Sequence, residues 1–199
     1  MTMVCLDMEG VLVPEIWIEV AKETGIEELK LTTRDEPDYD KLMKYRIKIM
    51  NEHNLTIDKI QSVIAKIDLM DGAKEFLDKL RKVTNVVIIS DTFEQFVKPI
   101  AEKLNWPTII CNTLDIDENG RIFDYKLRCE QTKLTTVKAF HSAGIETIAS
   151  GDSYNDIGMI KNSKAGFLFK STDKIKHEHP EITALETYDE LYDAITKAL

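Results

Sequence analysis

The chain has 199 residues, 43% of them hydrophobic and 31% charged, with a formal net charge of −9. That balance belongs to a globular protein with one main core and room for a small second lobe. Its acidity argues against a nucleic-acid partner, because phosphate backbones select basic surfaces. No apolar run approaches the ~18 residues of a membrane span, so no membrane partner is expected. Asp7 and Glu9 come too early for a secretory signal, and Cys5, Cys111 and Cys129 lack C-x-x-C spacing. A cytoplasmic protein with reduced thiols is the expectation.

Residues 3–7 read as a first strand, apolar through Met3-Val4-Cys5-Leu6, and lead into Asp7-Met8-Glu9-Gly10-Val11. From Pro14 to about Leu69 there is no convincing strand. Ile16 to Thr24, Tyr39 to His53 and Thr56 to Ile67 read as helices, with Thr56 as an N-cap. The helical stretch 14–69 is therefore expected to form a cap, hinged at its two short connections, over a catalytic core made of 1–13 and 70–199.

Beyond it the pattern alternates. Spacing near 3.6 predicts helices over 71–82, 93–104, 131–143 and 154–161; in the first, Ala73, Phe76, Leu77 and Leu80 share a face. Strands are expected at 85–90, 108–111, 146–150 and 165–169. Asp117-Glu118-Asn119-Gly120 reads as a hairpin turn between Leu114/Ile116 and Ile122. Strands alternating with helices imply an α/β fold, Rossmann-like, with a parallel sheet and helices on both faces.

Chemistry-bearing residues gather at the C-terminal ends of these strands, the edge at which open parallel sheets bind ligands. Asp7 suits a nucleophile that attacks phosphorus to give an acyl phosphate. Asp152, in Gly151-Asp152-Ser153-Tyr154-Asn155-Asp156, supplies a second carboxylate for a metal. With Asp7 and the Glu9 carbonyl it would make an oxygen-only site suited to Mg²⁺. Lys133 and Ser90 can hold the transferring oxygens. Glu9, two residues after Asp7 and on the same side if the strand continues, suits a general acid and base. Asn155 can donate to phosphate or substrate, and Asp156 can orient Lys133 or a metal-bound water. Singly these residues have plainer readings: Ser90-Asp91-Thr92 as an N-cap for a helix from Phe93, Lys133 as a solvated side chain. Their order along one chain favours a phosphoryl-transfer site.

The four segments resemble the haloacid dehalogenase (HAD) superfamily, whose motifs are D-x-D-x-[TV], a Ser or Thr, a Lys, and G-D-x-x-x-D. Here they stand as Asp7 to Val11, Ser90, Lys133 and Gly151 to Asp156, with 14–69 where that family inserts its helical cap. Within it the chain is similar to phosphoserine phosphatases, and this likeness implies substrate-binding roles for Glu15 and for Arg46, with Ser90, Asp91, Lys133 and Asn155 completing the set. Arg46 offers a planar fork for an α-carboxylate, and Glu15 an anion for an α-ammonium; a solvated helix arginine and a first-turn acid are the plainer alternatives. Two positions depart from the pattern: Glu9 replaces an aspartate, and Asp91 a glycine. Both departures resemble a narrower group that acts as phosphoserine phosphatase and phosphoserine:homoserine phosphotransferase. The resemblance thus implies phosphoserine and homoserine as small-molecule substrates. A phosphatase for a sugar phosphate and a receiver-type phospho-aspartate domain are the alternatives, and a homodimer is left open.

Overall fold

A computed structural model of the chain describes residues 1–32, 35, 36 and 38–199. Seven strands, β1 (Thr2–Leu6), β2 (Asn85–Phe93), β3 (Ile109–Ile116), β4 (Ile122–Lys126), β5 (Glu146–Gly151), β6 (Ala165–Phe169) and β7 (Thr183–Leu185), form one sheet in the order β4-β3-β2-β1-β5-β6-β7. All neighbours are parallel except β3 and β4, the expected hairpin. The helices are α1 (Ile16–Thr24), α2 (Tyr39–Glu52), α3 (Ile57–Ile64), α4 (Ala73–Leu80), α5 (Glu94–Lys103), α6 (Thr132–Ser142), α7 (Ile157–Asn162), α8 (Asp173–Glu178) and α9 (Tyr188–Ala198). Among the described residues, no helix is long and apolar enough to cross a membrane.

The central strands are apolar on both faces because both are covered. Val4, Leu6, Ile88 and Ile148 enter one apolar cluster, with side chains of α1, α4, α5 and α9; Cys5, Val87, Ile89 and Ala149 enter a second, with Val137 of α6 and Met159 of α7. That alternation is the period of two of a strand, and double burial is the usual state of a parallel sheet. From β1 the chain proceeds to β2 and β3 on one side, and to β5, β6 and β7 on the other. A crevice therefore opens at the C-terminal ends of β1 and β5.

Helices α1 to α3 share the first apolar cluster with the sheet. Trp17 meets Phe96 edge-on, with ring centroids 5.3 Å apart. Asn51 donates to the Ile122 carbonyl at 3.0 Å, and Gln61 to the Gln95 carbonyl at 2.6 Å. Thr56 stands at the N-cap of α3, yet its hydroxyl makes no cap bond; the Ile57 N–H instead donates at 2.8 Å to the carbonyl of Gly120 in the hairpin turn. A partner distant in sequence replaces the local one.

Three other features differ from expectation. β2 continues through Ser90-Asp91-Thr92 to Phe93, with a register shift against β3, so those residues are strand and do not cap α5. A short helical turn at Glu27–Lys30 and strand β7 carry no periodicity long enough to read. Helix α9 was not read, although Thr187 and Glu190 form a capping box whose signature, S/T-x-x-E, stands in the sequence.

Tyr188, at the start of α9, stacks on Phe76 and lies against Phe169, and its hydroxyl donates at 2.6 Å to the Val11 carbonyl. It thereby anchors the turn after β1 to the C-terminal helix. Tyr188→Phe should lower unfolding free energy by about 1 kcal/mol, the worth of one partly buried hydrogen bond. Urea denaturation checks this, with an unchanged midpoint as the contrary result.

Candidate active site

The site grows out of the turn that follows β1. The Asp7 N–H is still bonded to the Ser150 carbonyl of β5 at 2.9 Å, and its carboxyl, 4% exposed, accepts the Met8 N–H at 2.7 Å. The strand stops at Leu6, so Glu9 reaches the site through a turn and not by strand alternation. Gly10 makes that turn with φ 75°, and a Cβ there would lie 2.3 Å from the Asp152 carboxyl carbon. Only glycine allows both the conformation and the approach. Glu9 then accepts the Ile16 N–H at 2.8 Å, satisfying one of the unpaired donors at the start of α1. The second acid of the site is tied directly to the first helix above it.

Lys133, in the first turn of α6, is 2% exposed. Its Nζ lies 2.9 Å from Asp7 and 2.6 Å from Asp156. Asp156 is fully buried, and its other oxygen accepts the N–H groups of Asp152 and Ser153, each at 3.0 Å. A Cβ on Gly151 would fall 2.1 Å from the Asp156 carboxyl carbon, so this glycine makes room for the acid. Asp156 is thus a support for Lys133 and for the loop that presents Asp152. Ser90 is buried beside them, its hydroxyl accepting the Thr92 N–H at 3.2 Å.

Carboxylate oxygens of Asp7, Asp152 and Asp156 all lie within 4.8 Å of one another. Burial, then the charge of Asp156, pushes the Asp7 carboxyl well above its ordinary range, with Lys133 opposing. Burial and Asp156 likewise raise Asp152 to about 6. Burial works against the charge on Lys133, but Asp156 and Asp7 outweigh it and hold the ammonium above its usual value. Glu9 is lifted to about 7, chiefly by burial, with the Ile16 bond opposing and Glu15 adding to the rise. Crowded, oxygen-only and anionic, the cluster has the donor chemistry of a hard divalent cation site.

A cavity of about 1000 Å³ opens over this cluster. Every residue singled out in the sequence lines it, apart from Asp156 beneath its floor. Arg46 enters from α2, 5% exposed, its guanidinium 4.5 Å over the Trp17 ring and Nη2 donating to the Leu31 carbonyl at 2.7 Å. Its buried Nε has no hydrogen-bond partner among the described residues, and burial brings the guanidinium down to about 10. Glu15 lies on the same wall system. One N–H of the Asn155 amide is committed within the site: its Nδ2 donates to Asp91 at 2.7 Å, while its Oδ1 accepts the Ser153 hydroxyl at 2.5 Å. The Asp91 carbonyl accepts from Asn112 of β3 at 3.0 Å and from the Tyr39 hydroxyl of α2 at 3.3 Å. Tyr39, Trp17 and Asn112 escaped the sequence reading, since each meets the site across a long separation that no local spacing signals.

The profile of the haloacid dehalogenase-like hydrolases matches residues 1–164. The chain belongs to this family. Phosphoserine phosphatase ThrH of Pseudomonas aeruginosa is 48% identical over 198 residues, covering all of this chain and 97% of its own. A phosphoserine phosphatase of Pseudomonas syringae is also 48% identical, over 98% of this chain and 82% of its own. In fold, the chain is similar to a solved phosphoserine phosphatase in its apo form, with a TM-score of 0.76, 24% identity and 94% of each chain covered. The haloacid dehalogenase-like fold accounts for the crevice at β1 and β5; the side chains in it belong to this sequence.

Removing Asp156 would leave Lys133 buried with Asp7 alone and strand two backbone N–H groups. Asp156→Ala should therefore destabilise the protein by about 3–5 kcal/mol, as when one partner of a buried ion pair is deleted. Chemical denaturation measures it; a cost below about 1 kcal/mol would mean the network is not what holds the loop.

Proposed function

We propose that this haloacid dehalogenase-like hydrolase is an Mg²⁺-dependent phosphotransferase that hydrolyses O-phospho-L-serine and also passes the phosphoryl group to homoserine. The observation that carries the reading is Lys133 held between Asp7 and Asp156 on the floor of a cavity whose wall bears Arg46. The names of the two Pseudomonas relatives support the substrate. So does the buried, unpartnered Nε of Arg46, since an orphaned guanidinium donor in a cavity calls for an anion such as an α-carboxylate.

In this reading residues 14–69 act as the cap and residues 1–13 with 70–199 as the catalytic core. Asp7 and Asp152, with the Glu9 carbonyl, would hold Mg²⁺, and the ion when bound would offset the negative charge of the cluster and of the phosphate. Lys133 and Ser90 hold phosphoryl oxygens. A carboxylate oxygen of Asp7 attacks phosphorus, and the bond from phosphorus to the serine oxygen breaks. Glu9 gives its proton to the departing oxygen. With Oε2 fixed by the Ile16 N–H, its other oxygen is available to carry that proton. A value near 7 suits both states: protonated for the first step, and then ionised to take the proton of water or of the homoserine hydroxyl as that oxygen attacks phosphorus and frees Asp7. Arg46 and Glu15 hold the amino acid end, and Asp91 and Asn155 complete the wall beside it.

Phosphate release from phosphoserine, with and without homoserine, tests the reading directly. Activity should vanish in excess EDTA and return when Mg²⁺ is restored. Asp7→Asn should keep the fold and lose turnover by several orders of magnitude, since no covalent intermediate can form. A variant that retained most of its activity would remove Asp7 from the role.

Glu9 offers a second test. Its extra methylene, relative to aspartate, lets it span from the site to the first residue of α1. Glu9→Asp should break that reach and shift the acid, and a displacement of about 1 Å can cost ~10²-fold. We expect the ratio of inorganic phosphate to O-phosphohomoserine to rise, because a positioned alcohol tolerates the shift less well than water. An unchanged ratio would mean that the length of this acid does not select the acceptor.

A further inference from the structure

We propose that Ser171 is a positioning residue for the acidic cluster: it holds the loop that presents Asp152 and so sets how tightly the site binds a hard divalent cation. That role rests on the reading of Asp152 as a metal carboxylate and names the group that aims it.

Ser171 stands just past the end of β6, 5% exposed, and its hydroxyl donates to the Asp152 carbonyl at 2.5 Å. The N–H of the same residue donates to Asp156 at 3.0 Å. Both backbone polar groups of Asp152 are therefore held by side chains, one by the buried acid beneath the floor and the other from the neighbouring strand. Among the described residues, no side chain donates a hydrogen bond to the Asp152 carboxylate itself. Its direction is then decided by the backbone that carries it. The tolerance is small, because a Cβ on Gly10 would already lie 2.3 Å from the Asp152 carboxyl carbon. A slight rotation of the loop would drive this carboxylate into the turn after β1 or carry it away from Asp7.

The residue before Ser171 shows how the hydroxyl is delivered. Lys170 takes the left-handed conformation, with φ 49°, which is unfavourable for a side chain that has a Cβ. Its N–H is bonded to the Leu185 carbonyl of β7 at 2.9 Å. Its ammonium lies 5.4 Å from the Phe169 ring centroid and 5.1 Å from that of Tyr188. Such a conformation persists only where the surroundings impose it, and here the turn it makes brings Ser171 against the loop after β5. A buried hydroxyl needs some partner. What distinguishes this one from a merely satisfied core serine is the carbonyl it meets, which belongs to the residue whose carboxylate completes the cluster with Asp7 and Asp156. Groups that orient a metal ligand from behind govern affinity without touching the ion.

The test uses Ser171→Ala, which removes the hydroxyl, and Ser171→Thr, which keeps one. Binding of Mn²⁺ alone, a cation with the same octahedral oxygen preference as Mg²⁺, is read in the full chain from the loss of the free ion's paramagnetic resonance signal. The unaltered protein should bind Mn²⁺ and release it to added Mg²⁺. Ser171→Ala should bind it on the order of tenfold more weakly or worse, and Ser171→Thr within about threefold of the unaltered protein. Thermal unfolding in chelator accompanies each titration and should stay cooperative in all three proteins. Unchanged binding in Ser171→Ala, or a Ser171→Thr as weak as Ser171→Ala, would overturn the assignment. So would a Ser171→Ala without cooperative unfolding, since the hydroxyl would then hold the fold and not the loop. An unaltered chain that binds no Mn²⁺ defeats the metal reading of Asp152 and takes this role with it. Binding that depends on Ser171, in a chain that releases no phosphate from phosphoserine, supports the role and defeats that substrate alone.

Discussion

The structure turns on one buried contact, the ammonium of Lys133 held between Asp7 and Asp156. Three carboxylates converge there against a single lysine, which leaves the floor of the cavity two charges short of neutral. Burial without compensation drives acids toward their neutral form, and the raised values of Asp7 and Asp152 express that stress. A divalent cation would relieve it, so the same imbalance that strains the isolated protein makes the site receptive to metal. The surrounding fold serves this contact. β1 and β5 lie side by side to bring Asp7 and Asp152 together, while Gly10 and Gly151 remove the atoms that would keep the carboxylates apart.

Helices α1 to α3 are bound to the sheet by more than a pair of connections. They share its apolar cluster, and polar bonds from Asn51, Gln61 and the Ile57 N–H join them to the β3–β4 hairpin and α5. Two further ties run into the site itself. Glu9 meets the start of α1, and Tyr39 of α2 meets the Asp91 carbonyl. The floor of the site and the helices above it therefore share hydrogen bonds, and any change in how these helices sit is felt by the Glu9 carboxyl. The longer glutamate at position 9 is what makes the first of these ties possible.

Much of the architecture was legible along the chain. Apolar runs of four to six residues ending in Asp7, Ser90 and Gly151-Asp152 marked the central strands, because strands covered on both faces must be apolar throughout. The helices 16–24 and 39–52 followed from their spacing almost to the residue, and the turn at 117–120 from its Asn-Gly step. Local chemistry misled where a distant partner took over. Ser90-Asp91-Thr92 has the composition of a helix cap but continues a strand: the Asn112 side chain of β3 holds the Asp91 carbonyl, and backbone pairing with β3 resumes at Phe93. Thr56 stands at its cap position, yet the Gly120 carbonyl does the bonding.

By itself, then, the sequence determined which chemical groups stand at the strand ends and the order of the elements that carry them, since both depend on residue type and short-range periodicity. Only the tertiary structure decided how those residues are committed. Lys133, which alone reads as a solvated side chain, is buried between two acids 126 and 23 positions away. Asn155, which reads as a donor to phosphate or substrate, gives one N–H to Asp91 across 64 positions. Glu9 is anchored to a helix, and Arg46 is stacked on Trp17 with a donor to spare. The physical reason is common to all four. Whether a polar group is free to meet a ligand depends on which buried neighbours must be satisfied first, and those neighbours are assembled by packing between elements far apart in the chain.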